Sequence, residues 1–352
     1  MNLNNWFRPN VLKMKGYTPG EQPKKLSVVK LNTNENPYPP SSEVLKAVRQ
    51  QADFRLRLYP EPTADSLRER LAKVLRWPKD GILVGNGSDE VLSLLFTASV
   101  GKGDLVQFPD ITYSLYPVLA EIREAKVKEV ELEDDWSLDF RKLSPKARLT
   151  LWGYPNPPVG NCFPKNEMKA FCKKALGLVL IDEAYVDFAE EDCLDIARAC
   201  PNVLILRTLS KSFSLAGARL GFALGHPAVI AQLMKVKDSY NVNRVTQAIG
   251  LAAFSPAGLA DSRKKVKAIQ LDRNQLIEDL RNIGFWVADS HANFVLATRA
   301  GYPPMEDVYK SLKKRGVLVR YFSHPRLRDS LRITVGTPKE DQRLLVELRK
   351  LL

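Results

Sequence analysis

Histidine and cysteine are scarce in this chain: three of the first (His226, His291, His324) and four of the second (Cys162, Cys172, Cys193, Cys200) among 352 residues. No two cysteines have C-x-x-C spacing and the histidines are scattered. That excludes the usual zinc-ligand patterns, and a disulfide scaffold does not suit a chain of this size. Buried free thiols are the expected state of most of these cysteines. Long apolar runs are missing as well. Residues 1–20 hold no continuous apolar core of the kind a signal peptide needs. The longest uncharged apolar stretch, residues 91–101, is too short to span a bilayer and reads as a buried helix. These absences point to a soluble cytoplasmic protein. Acidic residues are also in deficit, 40 against 53 lysines and arginines, for a net charge of +13. The excess is spread along the chain and forms neither a basic tail nor an aromatic-rich motif. Attraction of small anions accounts for it as well as nucleic acid does. Charge alone does not choose between them.

What is present is ordinary globular composition, 45% hydrophobic and 26% charged, in a chain too long for one small domain. Segments at residues 82–84, 105–108, 127–132, 149–152, 178–181, 203–206 and 220–224 read as strands, with helical stretches between most of them. That alternation predicts an α/β fold with about seven strands, mostly parallel. After His226-Pro227 the pattern turns helical. A stretch over residues 243–283, interrupted at Ser255-Pro256-Ala257-Gly258, reads as a connection to a second unit. Beyond it, short strands at 294–297, 317–320 and 331–335 alternate with helices at 305–315 and 339–351. The expected organisation is an extended arm (1–30), a large domain (31–270) and a small α+β domain (271–352) joined by the arm.

Ligands in such sheets bind beyond the carboxyl ends of the strands, and the chemistry-bearing residues fall there. Gly85-Asn86-Gly87-Ser88-Asp89-Glu90 runs from a strand into a helix, a phosphate cradle in which free backbone N–H groups point outward. The third glycine of a dinucleotide fingerprint is missing, and there is no G-K-[ST], so neither a nicotinamide fold nor a P-loop is indicated. Asp182 ends the strand at 178–181, 29 residues before Lys211. Lys211 itself sits among the hydroxyls of Thr208 and Ser210, with Arg219 eight residues on. A lone loop lysine is usually a solvated surface residue. Here hydroxyls and a guanidinium suit a phosphate, and the amine beside them suits an aldehyde. Pyridoxal 5′-phosphate carries both. Asp182 then suits its pyridine nitrogen, which stays protonated only beside an anion.

Pro60-Glu61-Pro62, G-N-G-S-D-E, I-D-E-A-Y, T-L-S-K-S-F-x-L-A-G-x-R-x-G and the segment from Leu331 to Thr337 occur together and in order. This set resembles the fold-type I pyridoxal phosphate aminotransferases. The loop L-N-x-N-E-N-P-Y, residues 31–38, is similar to that of their histidinol-phosphate subfamily. The resemblance covers residue 30 to the C-terminus. It implies a mixed, mostly parallel seven-stranded sheet with helices on both faces, plus the small α+β domain. It implies that Lys211 holds the cofactor and moves the proton, Asp182 pairs with the ring nitrogen, Tyr185 holds the ring hydroxyl, and Tyr113 stacks on the ring. Ser88, Asp89, Thr208, Ser210 and Arg219 would hold the phosphate. Tyr59 would reach the cofactor phosphate of a second subunit, which implies a homodimer. Arg332 would grip the carboxylate of glutamate, and Arg320, Tyr240, Asn241 and Asn34 are candidates for the substrate pocket.

One departure stands out. The family places an asparagine immediately before Pro-x-Gly, and here the segment reads Tyr154-Pro155-Asn156-Pro157-Pro158-Val159-Gly160. Proline occupies that place and Asn156 stands one residue earlier, so either Asn156 reaches the ring hydroxyl through a local shift or Tyr185 bears that contact alone. The implied reaction is amino transfer between L-histidinol phosphate and 2-oxoglutarate, yielding imidazole acetol phosphate and glutamate. Threonine-phosphate decarboxylation and aromatic amino-acid transamination use the same scaffold and stay open. A cofactor-binding regulator of nucleic acid is disfavoured, because about thirty residues ahead of the first motif cannot hold a DNA-binding domain. Neither nucleic acid, a membrane nor a metal is expected as a partner.

Overall fold

The computed structural model describes residues 3–23 and 27–352. The N-terminal segment holds a short helix α1 (Pro9–Lys13) and a two-residue strand β1 (Val29–Lys30). Helices α2 (Ser42–Gln51) and α3 (Asp65–Leu75) follow, the first capped by the Ser41 hydroxyl accepting from the Val44 N–H. The large sheet is then laid down. Its first part is β2 (Ile82–Gly85), α4 (Ser88–Ser99), β3 (Leu105–Pro109), α5 (Leu115–Ile122), β4 (Lys126–Val130) and β5 (Leu149–Gly153). Its second part is α6 (Lys165–Lys174), β6 (Leu178–Asp182), α7 (Leu194–Ala199), β7 (Val203–Thr208) and β8 (Gly221–Leu224). The seven strands lie in the order β2-β8-β7-β6-β5-β3-β4. All neighbours are parallel except β8, which runs antiparallel to both β2 and β7. Strands β2 and β5 are buried throughout, as near-continuous apolar runs covered on both faces should be.

Helices α8 (Pro227–Leu233), α9 (Arg244–Ala253) and α10 (Pro256–Asn282) lead away from the sheet. The chain breaks between the last two at Ser255, whose hydroxyl caps α10 and precedes its N1 proline. The 27 residues of α10 span about 40 Å and run unbroken through residues 270 and 271, so the large and small units share one helix. A four-stranded antiparallel sheet follows, built from β9 (Trp286–Val287), β10 (Phe294–Thr298), β12 (Arg320–Tyr321) and β13 (Ser330–Thr334) in the order β12-β13-β10-β9. Helix α11 (Met305–Lys314) and the terminal α12 (Pro338–Arg349), which opens on a Thr337/Glu340 capping box, pack with it.

Two local expectations are corrected. Residues 317–320 do not form one strand. β11 (Val317–Leu318) pairs in parallel with β1, while β12 pairs with β13. Val319 lies buried between them, where the chain changes partners. Nor is the N-terminal arm simply extended. Its helix α1 packs on α5 of the large unit, with Asn10 Nδ2 donating to the Glu121 carbonyl at 2.9 Å. Further along, Glu21 pairs with Lys313 of the small unit at 2.7 Å. The arm therefore touches both units.

Register decides what meets at one end of the large sheet. Gly221 is paired with Gly85 on one side and Thr208 on the other, so the glycine turn after β2 and both ends of the Lys211 motif converge on one residue. A Cβ at Gly221 would lie 2.4 Å from the Ser88 nitrogen and 2.7 Å from the Gly87 carbonyl carbon. Both neighbours are backbone and cannot swing aside. Gly221→Ala should therefore destabilise the fold by about 1–3 kcal/mol. Urea unfolding with the midpoint shifted and the slope unchanged is the check, and an unchanged midpoint would show that the loop relaxes freely.

Candidate active site

Beyond the carboxyl ends of β6 and β7 lies a cavity of about 450 Å³ walled by both sheets and by the N-terminal segment. Lys211 stands in it, three residues past the end of β7. Its Nζ donates to the Thr33 carbonyl at 3.2 Å and lies 5.6 Å from the centre of the Tyr185 ring. Burial, reinforced by the nearby Arg332 charge, pushes the amine down to about 8 from the ordinary 10.5. The loop behind it is pinned by Asn36, whose Nδ2 donates to the Lys211 and Ser212 carbonyls at 2.9 and 3.3 Å. Ser212 in turn donates to Asp187. The amine is held, and near neutrality a usable share of it is uncharged.

Asp182 ends β6 and is buried, 7% exposed as a residue. The Tyr116 hydroxyl donates to Oδ2 at 2.8 Å, and the Ala184 N–H to Oδ1 at 3.1 Å. Burial pushes this acid up to about 6, against the pull of those two donors. Among the described residues it forms no ion pair, whereas its neighbour Glu183 is paired with Arg207 at 2.7 Å. A buried carboxylate without a cation is costly, and it faces a cavity that can receive one.

At the end where Gly85, Gly221 and Thr208 meet, anion donors gather. The first-turn amides of α4, at Ser88 and Asp89, have no intrahelical acceptor. Thr208 and Ser210 exchange a hydrogen bond at 3.0 Å on the cavity wall. Among the described residues Arg219 makes only long hydrogen bonds, 3.4 Å to Asp89 and 3.3 Å to the Ala216 carbonyl. Gly87, at φ +87°, lets the Arg219 guanidinium approach: a Cβ there would stand 2.5 Å from Nη2. Tyr113 lines the cavity too, its hydroxyl donating to Asp89 at 3.1 Å.

The opposite wall comes from the small sheet. Arg320 and Arg332 are cross-strand partners on β12 and β13, and both line the cavity. Neither forms an ion pair among the described residues. Arg332 donates from Nη2 to the Asn32 carbonyl at 2.9 Å and packs on Phe294 and Phe322. Its Nε is buried with no partner, a donor left open. Asn34, at φ +56°, joins this wall to the large unit. It donates from Nδ2 to the Tyr185 hydroxyl at 3.0 Å, and its N–H meets the Thr334 hydroxyl at 2.9 Å.

Four expected site residues lie outside the cavity. Asn156 is fully buried, with its Nδ2 donating to the Ile111 carbonyl at 2.8 Å and its Oδ1 accepting from Thr112 at 2.7 Å. Pro157 and Pro158 line the wall in its place, so no local shift brings that amide in. Asn241 is likewise committed, donating to the Val84 carbonyl at 3.1 Å and to Glu90 at 2.9 Å. Tyr240 stacks on Tyr59 with ring centres 4.3 Å apart, and both are exposed. Conversely, Tyr116, Tyr17, Thr33 and Glu35 belong to the site or its support without having been foreseen. For Tyr116 a signal existed: Tyr113-x-x-Tyr116 at a helix start puts both rings on one face.

This fold, with an amine, a buried acid and an anion cradle at the strand ends, is that of an aminotransferase. A family model described as aminotransferase class I and II matches residues 27–348, and the chain belongs to that family. A histidinol-phosphate aminotransferase of Crocosphaera subtropica is 42% identical to it over 346 residues, 98% of either chain. One from Syntrophotalea carbinolica is 40% identical over 98% of this chain and 99% of its own. Among solved structures, the Sinorhizobium meliloti histidinol-phosphate aminotransferase in complex with pyridoxal-5′-phosphate superposes with a TM-score of 0.88 at 23% identity, covering 99% of this chain and 98% of that one. A Thermus thermophilus aspartate aminotransferase mutant gives 0.85 at 22%, covering 98% and 99%. At such identities the likeness shows the fold.

The depressed amine yields a direct check. Acylation of Lys211 in the free protein should accelerate as pH rises through about 8, well before surface lysines respond near 10.5. Peptide mass spectrometry across a pH series reads the site. A Lys211 profile that follows the surface lysines would refute the electrostatic account.

Proposed function

We propose that this protein uses pyridoxal 5′-phosphate to transfer an amino group between L-histidinol phosphate and 2-oxoglutarate, in histidine biosynthesis. The donor set fits the cofactor. Asp182, buried and without a cation, suits a protonated ring nitrogen. The α4 amides with Thr208, Ser210 and Arg219 suit a phosphate, and Lys211 suits the aldehyde. When bound, the cofactor supplies an electron sink that acidifies the substrate α-carbon and a carrier for the amino group.

The chain's own residues do the rest. Lys211, once free, would move the proton between the substrate α-carbon and the aldehyde-derived carbon of the cofactor, and its low proton affinity suits a base near neutral pH. Tyr185, oriented by Asn34, holds the ring hydroxyl without help from Asn156. Tyr113 covers the ring face. Arg332 grips the carboxylate of glutamate with its open Nε edge, and Arg320 beside it draws the phosphate of the alternative substrate. One observation carries the reading. A single cavity joins a buried acid, an amine and two unpaired arginines, and relatives that are 42% identical over nearly the whole chain are histidinol-phosphate aminotransferases.

The working form is a homodimer in this reading. Phe54, Leu56, Leu58 and Tyr59 form an exposed apolar run, with Phe54 and Tyr59 73% and 76% exposed. A second copy would cover it, and Tyr59 would extend toward that copy's cofactor phosphate. Four free cysteines, three of them buried, suit the reducing cytoplasm. Among the described residues no helix is long and apolar enough to cross a membrane.

Substrates added separately to the cofactor-loaded protein test the reaction. Histidinol phosphate and glutamate should each change the cofactor absorbance. Carbon dioxide release from threonine phosphate would instead assign a decarboxylase. Lys211→Ala should leave the fold intact and abolish turnover, and retained multiple turnover would remove Lys211 from its role. Arg332→Lys should raise the glutamate KM about tenfold, because an ammonium cannot make the planar two-point contact. An unchanged KM would take Arg332 out of the site.

A further inference from the structure

We propose that Tyr116 is a positioning residue whose hydroxyl, acting through Asp182, keeps the proton on the nitrogen of the cofactor ring; this rests on the cofactor reading above. Tyr116 is fully buried at 0% exposure, one residue into α5, and its hydroxyl donates to Asp182 Oδ2 at 2.8 Å. Its ring meets Tyr113 edge-on, with centres 5.6 Å apart and planes at 86°, and packs near Phe108. One side chain therefore braces both the acid assigned to the ring nitrogen and the aromatic assigned to the ring face.

The surroundings make the hydroxyl matter. Asp182 is faced by Tyr116 from α5, by Asp89 from α4, and by Glu183 and the Ala184 N–H from its own segment, with Tyr185 beyond. Glu183 is matched by Arg207 and Asp89 loosely by Arg219, so no cation is left for Asp182. Only two hydrogen bonds favour its ionised form against burial and two neighbouring acids. The phenol is a dependable donor, because burial holds its own ionisation far above the working range. In the loaded enzyme one proton is shared between the ring nitrogen and a carboxylate oxygen. A donor on Oδ2 stabilises the carboxylate and leaves the proton on nitrogen. Without that donor the proton moves to Asp182, the pair becomes neutral, and the ring withdraws electrons less strongly. The ring contacts with Tyr113 and Phe108 require no hydroxyl, so Tyr116→Phe isolates the hydroxyl's part.

The experiment compares wild type and Y116F, each loaded with pyridoxal phosphate carrying ring nitrogen-15. The nitrogen resonance of the variant should move toward the unprotonated position. The pH midpoint of the substrate-free absorbance change should rise by about one unit, since a neutral ring makes the imine nitrogen more basic. Turnover should fall about tenfold with the glutamate KM within about twofold, as expected of electronic tuning and not of binding. Should Y116F fold poorly, 3-fluorotyrosine at position 116, a stronger donor, should move the midpoint down. A variant that melts earlier but keeps the wild-type resonance and midpoint would reduce Tyr116 to core packing and overturn the proposal. Wild type that binds no cofactor at all would instead sink the cofactor reading, and this proposal with it.

Discussion

A buried carboxylate with no cation beside it is the constraint to which the rest of this molecule answers. Asp182 ends a strand that is buried from Val179 onward, and among the described residues its carboxylate receives only a phenol and one amide. Removing a charge from water costs several kcal/mol unless an opposite charge compensates. The neighbouring Glu183 shows the usual solution, an arginine at 2.7 Å. The fold withholds that solution from Asp182 and leaves it facing a cavity. A protein built this way gains stability when a cationic ring enters, because the ligand binds the native state and not the unfolded chain. With Asp182 on the ring nitrogen, cofactor affinity and the electron-withdrawing power of the ring would have one source.

The two sheets divide the work. Register in the large sheet assembles the phosphate end, since Gly221 can meet Gly85 and Thr208 together only where an antiparallel strand is inserted between β2 and β7. The small sheet supplies the cationic end through Arg332 and Arg320. Between them runs Asn34, fixed to Thr334 of β13 and to Tyr185 of the large unit. Any shift of the small sheet therefore reaches the Tyr185 hydroxyl as well as the arginines. The small sheet and the Tyr185 hydroxyl are mechanically linked through one asparagine in a left-handed conformation.

What could be read from the sequence was whatever is local. Strand ends, glycine turns and caps are short-range features, so Asp182, Lys211 and the Gly85–Asp89 turn were legible, as was the α/β alternation. Contacts set by packing were not. Asn156 looked available because it lies beside Pro-x-Gly, but the Ile111 carbonyl and the Thr112 hydroxyl claim its amide. Asn241 is lost in the same way to Val84 and Glu90. The Tyr113-x-x-Tyr116 spacing marks a shared face, but the acid that the Tyr116 hydroxyl meets is 66 residues away and is not legible locally. Residues 317–320 read as one short strand, and only the tertiary fold reveals that β1 takes Val317 and Leu318 while β13 takes Arg320.

The net charge of +13 was uninformative as a total and becomes informative by location. Most of the lysines and arginines in the ion pairs are at least partly exposed, and such pairs contribute little. Arg320 and Arg332 differ. They are directly opposed across two strands, a like-charge arrangement that destabilises a sheet, and no acid among the described residues relieves it. Burial and the Arg320 charge together lower the proton affinity of Arg332, yet a guanidinium stays charged at any physiological pH. The repulsion therefore persists until an anion arrives. It also reaches Lys211, where the Arg332 charge is the largest contribution to the depressed amine after burial. A substrate carboxylate that neutralises Arg332 would raise the proton affinity of Lys211 at the moment the lysine must accept a proton. Under the proposed roles, binding at one end of the cavity would thus prepare the base at the other.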